Sequence, residues 1–234
     1  MSVLVAHVIV FAKAPVAGQA KTRLAPALGA AGAAALAERL LDHAVAQAVA
    51  ANLGSVALCV TPDAAHPAFQ RLRAHHGLAL TLQGDGDLGT RMHRAITQAL
   101  TQPLTQPPTR HRSVLLIGSD APALTAAVLR AAAAALDDAD ADADAGAGAG
   151  AGAGGDADAV FVPALDGGYV LVGLRQPAPA LFAGVAWSTG QVMAMTRQRA
   201  AAAGLRLAEL PALADIDEPA DLVHLQHLPG GWPA

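Results

Sequence analysis

The chain has 234 residues, a formal net charge of −4, and 53% hydrophobic against 3% aromatic residues. Its one cysteine, Cys59, excludes an intramolecular disulfide and any multi-cysteine zinc or iron–sulfur site. The acidic balance argues against a broad nucleic-acid or anionic-membrane footprint.

The length predicts one domain, large enough to bury a core without staples. About a quarter of the chain is alanine, which lifts the mean hydropathy to +0.38. No window of about 20 residues reads as apolar enough to span a bilayer, and a reducing, cytoplasmic setting is expected.

Val3–Phe11 is β-branched and nearly continuous, the pattern of a parallel strand buried on both faces. The first lysine follows this run instead of preceding it, so it reads as a strand and not as a signal peptide. After the loop Ala12–Gly29, Leu36, Leu40, Leu41, Val45 and Val49 recur at helical spacing over Ala30–Ala51. Ser55–Val60 and Leu78–Leu82 predict strands on either side of a short helix near Pro67–His75. The loop Gln83–Gly89 leads into a helix ending near Leu100, and Thr101–Arg112, polar with three prolines, predicts a surface connection. Ser113–Gly118 predicts a strand, and Thr125 caps a helix to about Leu136. Residues 137–158 alternate Asp-Ala and then Gly-Ala, with no large side chain to bury. They predict a disordered insertion within a single domain spanning 1–234. Val160–Pro163 and Tyr169–Leu174 predict strands around the turn Asp166-Gly167-Gly168, followed by a helix near Gln191–Ala203, a strand at Leu205–Leu210 and a helix near Pro219–Leu228.

Strands alternating with helices predict an α/β sheet with both faces covered. Ligands bind such sheets at the carboxyl ends of the strands. The loops 12–23, 83–91, 119–124 and 166–169 are therefore where chemistry is expected.

The first loop holds Lys13 and Lys21, the only lysines in the chain, together with Arg23 and Gly18. Three cations after a first strand, with a glycine that lets backbone approach, suit a polyphosphate; the bland alternative is a solvated basic loop. No Walker A spacing is present. Asp120, in Gly118-Ser119-Asp120-Ala121-Pro122, reads equally as a carboxylate for a hard divalent cation or as a turn aspartate. In Asp215-Ile216-Asp217-Glu218-Pro219, two carboxylates flank a residue able to point inward. The stretch also reads as an acidic helix N-terminus, with a metal role for Asp217 compatible. Asp85 and Asp87 precede a helix carrying Arg91 and Arg94 and read equally as turn or substrate residues. Asp166, Gly167 and Gly168, between two strands, read as a hairpin turn. Beside them, Tyr169 and Trp187 suit stacking on a sugar or base, with core packing as the default. The nine histidines form no convincing ligand set.

Taken together, Phe11-Ala12-Lys13-Ala14-Pro15, Lys21-Thr22-Arg23-Leu24, Gly86-Asp87-Leu88-Gly89-Thr90-Arg91-Met92, Gly118-Ser119-Asp120-Ala121-Pro122, Asp166-Gly167-Gly168-Tyr169, Trp187-Ser188-Thr189 and Asp215–Leu222 resemble a bacterial family. This is the transferase 1, radical-SAM/selenodomain-associated family, which is glycosyltransferase-like and similar to 2-phospho-lactate guanylyltransferase. The pieces run in family order along nearly the whole chain. Ala121 stands where the family often has cysteine, and Glu218 and Ala220 replace the usual threonine and glutamate. The resemblance implies a Rossmann-like GT-A fold, that of the nucleotide-diphospho-sugar transferases: three layers around a mainly parallel sheet. It implies phosphate binding by Lys13, Lys21 and Arg23, with Gly18, Asp87 and Arg91 beside them. It implies a divalent cation, Mg2+ or Mn2+, on Asp120 and Asp217, and an acceptor side formed by Asp166, Gly167, Gly168, Tyr169 and Trp187. The leading expectation is sugar transfer from a nucleotide-sugar to a small-molecule acceptor, with Asp120, Lys21 and Arg23 as the catalytic groups. Nucleotidyl transfer from a nucleoside triphosphate is the alternative, and a non-catalytic nucleotide-binding module the third. Neither nucleic acid nor membrane insertion is expected.

Overall fold

A computed structural model describes residues 6–101, 113–137 and 157–227. Strands β1 (Ala6–Lys13), β2 (Val56–Thr61), β3 (Ala79–Leu82), β4 (Ser113–Gly118), β5 (Ala159–Pro163), β6 (Tyr169–Leu174) and β7 (Leu207–Glu209) form one sheet in the order β3-β2-β1-β4-β6-β5-β7. All seven lie where the apolar runs predict them. Every pairing is parallel except β4–β6 and β5–β6. The exception follows from chain length. The turn from β5 to β6 is only a few residues, too short for the crossover that a parallel partner requires.

The helices are α1 (Ala25–Ala51), α2 (Pro67–His76), α3 (Leu88–Thr101), α4 (Ala126–Ala135) and α5 (Val192–Ala202). Gly29 takes φ 69° and ψ 164° and kinks α1, so its regular part begins where the leucine spacing starts. Asn52, in the left-handed conformation, ends it. Residues Pro219–His227 form a 3₁₀ helix instead of the expected α-helix. Its opening turn closes by an i→i+3 bond from the Asp221 N–H to the Glu218 carbonyl.

Alternate residues of each strand enter opposite layers. Val8, Val10, Leu115, Ile117, Val160 and Val162 pack with Leu41 and Val45 of α1, Phe69 of α2 and Leu129 of α4. On the other face Ile9, Leu116, Phe161 and Val172 pack with Met92 and Ile96 of α3 and Met193 of α5. A third, smaller cluster joins Leu24, Leu36 and Leu40 to Ile216 and Leu225. It clamps the C-terminal segment onto α1.

The continuous helical run Thr22–Ala51 is long and apolar enough, by length and composition, to cross a membrane. This corrects the expectation that no such stretch exists: alanine carries the hydropathy, and the leucines of the run face the sheet and the third cluster. The start of the first predicted strand, most of the 101–112 connection and nearly all of the 137–158 tract lie outside the described residues.

Because β4 and β5 run parallel to β1 while β6 runs against them, the ends Lys13, Gly118 and Pro163 and the start Tyr169 all open at one sheet edge. β1 has β2 on one side and β4 on the other, so this edge includes the topological switch point.

Ile216 is fully buried and holds its two flanking aspartates in place. Truncating it in Ile216→Ala is expected to cost about 2–5 kcal/mol in urea unfolding. A loss well under about 1 kcal/mol would show that the third cluster does not anchor this segment.

Candidate active site

The first loop is compact. Ala14 N–H donates to the Thr61 carbonyl, and the N–H groups of Gln19 and Ala20 both donate to Val16. Gly18 sits at φ 76°, where an L side chain would be strained. Lys21 itself adopts φ 47° and ψ 45°, uncommon for a residue with a Cβ. This turns its side chain inward, to only 8% exposure, while Lys13 and Arg23 stay on the surface. Lys13 Nζ donates to the Gln19 carbonyl at 2.8 Å. Arg23 lies 3.8 Å from Glu218, both side chains well exposed, so that contact contributes little.

Lys21 Nζ meets Asp120 at 2.9 Å and Asp217 at 2.7 Å. Asp120 follows β4 directly, and Ser119 Oγ donates to its Oδ1 at 3.1 Å. The loop behind it is pinned from α1: His43 Nε2 donates to the Pro122 carbonyl at 2.9 Å, and Gln47 Oε1 accepts from Ala126 N–H at 2.8 Å. Asp217 arrives on the clamped segment, where Ile216 N–H donates to the Asp120 carbonyl at 3.0 Å. Asp221 accepts from the N–H groups of Asp217 and Glu218, closing the turn. Pairing with two carboxylates outweighs burial and holds the Lys21 ammonium above its ordinary pKa, so it is charged.

A cleft of about 490 Å³ is lined by Lys13, Lys21, Arg23, Arg91, Asp120, Asp217 and Tyr169, with Phe11, Met92 and Leu116 among its apolar walls. Gln83, which the sequence did not single out, is buried in this wall and fully used. Its Nε2 donates to the Ala12 and Cys59 carbonyls, and its Oε1 accepts from Arg91 at 2.9 Å. It thus locks the ends of β1 and β2 together and aims Arg91. One weak signal was available: a lone amide directly after a predicted strand.

Asp87 does not line the cleft. It accepts from Thr90 N–H at 2.7 Å at the start of α3, and the Thr90 hydroxyl together with this N–H holds its carboxyl below the usual range. Asp166 accepts from Gly168 N–H at 2.8 Å within the hairpin turn. Gly167, at φ 92°, presses on the Gly190 carbonyl so closely that a Cβ there would collide with it. Tyr169 lines the cleft and packs edge-on against Phe161 and Trp187, with ring centroids at 5.0 and 6.3 Å. Burial pushes its phenol far above the usual value. Trp187 stands behind it, against Gly89 and outside the cleft wall. Its Nε1 is buried without a hydrogen-bond partner among the described residues.

Asp215 is half-buried, and burial pushes its carboxyl up to about 6, helped by the charges of Asp166, Asp217 and Asp120. Four carboxylates therefore crowd one sheet edge. Among the described residues no group of three or more His, Cys, Asp or Glu side chains is arranged to hold a metal ion. Asp120 and Asp217 nonetheless converge on one cation, the Lys21 ammonium, and offer hard oxygen donors. That donor set fits magnesium, which takes one or two carboxylates and completes its shell with phosphate and water.

The sequence matches the family described as "Uncharacterized protein conserved in bacteria (DUF2064)" over residues 44–189, and the chain belongs to that family. None of the curated proteins matches it. Among solved structures it is similar to one described, provisionally, as a nucleotide-diphospho-sugar transferase from Desulfovibrio desulfuricans G20. The two are 27% identical with a TM-score of 0.75, over 93% of this chain and 84% of that one. CMP:2-keto-3-deoxy-manno-octonic acid synthetase complexed with CTP shares the fold at 11% identity and a TM-score of 0.54, over 96% and 98% of the two chains. So does 4-diphosphocytidyl-2C-methyl-D-erythritol synthase from Anaerococcus prevotii DSM 20548, at 9% and 0.56, over 94% and 93%. The fold is that of the nucleotide-diphospho-sugar transferase superfamily, as the motif resemblance implied, and the enzyme class this kinship supports is transferase.

The raised pKa of Asp215 has a definite sign. Its folded form binds a proton at pH values where the unfolded chain has lost it, so the residue costs stability above about pH 6, and the cost fades as the pH falls toward 4. Asp215→Asn is expected to raise Tm at pH 8, with the gain vanishing near pH 4. An equal gain at both pH values would refute the electrostatic cause.

Proposed function

We propose that this DUF2064 protein is a metal-dependent transferase that moves a sugar from a nucleotide-sugar donor to a small-molecule acceptor. The observation that carries the reading is one cleft at the switch point where Lys13, Arg23 and Arg91 surround the Asp120–Lys21–Asp217 bridge. Its volume suits a nucleotide-sized ligand. The 27%-identical neighbour from Desulfovibrio desulfuricans G20 carries the same kind of description.

In this reading Lys13, Arg23 and Arg91 bind the donor's phosphates, and Gln83 keeps the Arg91 guanidinium aimed at them. Gly18 does not line the cleft; at φ 76° it shapes the turn that carries Gln19 to Arg23. Asp120 and Asp217 hold the divalent cation, Mg2+ or Mn2+, and Lys21 sets their separation. When bound, that cation neutralises charge on the departing nucleoside diphosphate. Tyr169 and the turn Asp166-Gly167-Gly168 form the acceptor side, with Trp187 packed behind Tyr169. Catalysis then rests on positioning and on charge stabilisation.

A second reading, nucleotidyl transfer with release of pyrophosphate, is favoured by one observation. Lys13, Arg23 and Arg91 give three cationic groups around the cleft besides the carboxylate-paired Lys21, a number well matched to a triphosphate.

Thermal unfolding with nucleoside triphosphates, diphosphates and nucleotide-sugars, each with and without Mg2+, separates the readings. A ligand at about 100 times its Kd adds about 2.7 kcal/mol, which raises Tm by several degrees at about 2–4 °C per kcal/mol. The expected result is a Mg2+-dependent shift greatest with one nucleotide-sugar or its diphosphate. A greatest shift with a triphosphate selects nucleotidyl transfer, and no shift with any of them removes the phosphate-cleft reading. Asp120→Asn is expected to abolish turnover with the donor so identified. Normal turnover in that variant would remove Asp120 from the mechanism, and a wild-type protein that binds nucleotide without turnover would be a binding module.

A further inference from the structure

The bridge Asp120–Lys21–Asp217 raises a question of occupancy. The ammonium nitrogen lies 2.9 Å from one carboxylate and 2.7 Å from the other, on the position the two carboxylates share. A divalent cation that took the same two oxygens, Asp120 Oδ2 and Asp217 Oδ1, would need the space the ammonium fills, and two cations that close repel strongly. The lysine is held there deliberately. Its backbone takes a left-handed conformation that costs free energy without a glycine, and its side chain is almost fully covered while both carboxylates stay about 40% exposed. Both carboxylates are thus reachable from the cleft, while the ammonium occupies one oxygen of each. Lys21 also lines the same cleft as Lys13, Arg23 and Arg91, so its flexible four-carbon stem leaves a phosphate within reach.

We propose that Lys21 is the built-in competitor of the divalent cation, occupying the Asp120–Asp217 pair in the free protein and yielding it when metal and a nucleotide phosphate arrive together. The inference rests on the metal role proposed above for those two aspartates. It adds that metal alone binds weakly, because it must displace an ammonium already paired with two carboxylates. A phosphate in the cleft offers the displaced ammonium an anionic partner, so metal and donor favour each other's binding, reciprocally. The device keeps a pair of crowded carboxylates neutralised while the site is empty of donor.

The test is Mn2+ binding to the full chain without nucleotide, followed by the electron paramagnetic resonance signal of free Mn2+. Lys21→Met and Lys21→Gln, two replacements so that a folding defect in one is recognised from its Tm, are expected to bind Mn2+ at least about tenfold more tightly than the parent protein. Lys21→Arg keeps the charge and is expected to bind as weakly as the parent. Adding Asp120→Asn to Lys21→Met is expected to abolish the gain. Equal or weaker Mn2+ binding in both neutral variants overturns the proposal. If Asp120→Asn alone still weakens Mn2+ binding in that case, the metal role of Asp120 stands and only the exchange is wrong. If Mn2+ binding is independent of Asp120 in every variant, the metal reading falls together with the proposal.

Discussion

The buried ammonium of Lys21 is the constraint on which the rest of the site depends. It ties together residues 21, 120 and 217, far apart in the chain, on the segments that follow β1, β4 and β7. Burying a lysine is costly, and two close carboxylates offset the cost only when their geometry is good. Such a bridge adds little net stability over an apolar packing of the same shape. Its use is to fix where the carboxylates stand. The loops around it are held accordingly, by His43 and Gln47 reaching from α1 and by Ile216 plugged into the third cluster.

The sheet supplies the rigid frame for this arrangement. Strands β1, β4 and β5 deliver their carboxyl ends to one edge, and the reversed β6 delivers its first residue, Tyr169, to the same edge. The backbone there is crowded. Gly167 passes so near Gly190 that no side chain fits, which locks the hairpin onto the start of α5. Gln83 does similar work between β1 and β2, using its whole amide to fasten two strand ends and one guanidinium. Polar groups buried this way specify one geometry, because each loses its partners if a neighbour shifts.

Electrostatically the edge is divided. Cations from the first loop and α3 line one wall and Asp120 and Asp217 the other, with Asp166 and Asp215 close by, where burial, helped by the neighbouring charges, pushes the Asp215 carboxyl up to about 6. A polyphosphate with a divalent cation has the matching polarity: anionic oxygens for the first wall and a positive ion for the second. The same division explains why Lys21, on the boundary, is drawn to the acids.

Much of this protein follows from its sequence alone. Continuous β-branched runs separated by helical spacing specify a covered α/β sheet, because each pattern can bury its apolar face in only one way. The same logic places Lys13, Arg23, Arg91 and Asp120 just after strands or at the start of a helix, where side chains at the sheet edge converge. Ile216 between Asp215 and Asp217 was readable as an inward anchor for the same reason. Tertiary structure decided what pattern cannot encode: which partners each polar group finds across long separations. Lys21 reads in sequence as one more phosphate cation and in the fold pairs with Asp120 and Asp217. Asp87 reads equally as a turn or a substrate residue and in the fold caps a helix. Gln83 and His43 gave almost no signal, since a lone amide or imidazole acquires its role only from the carbonyls that folding brings within about 3 Å. Hydrophobic burial is periodic along the chain and therefore legible, whereas hydrogen bonds and ion pairs depend on distance and direction in space, which only the folded chain sets.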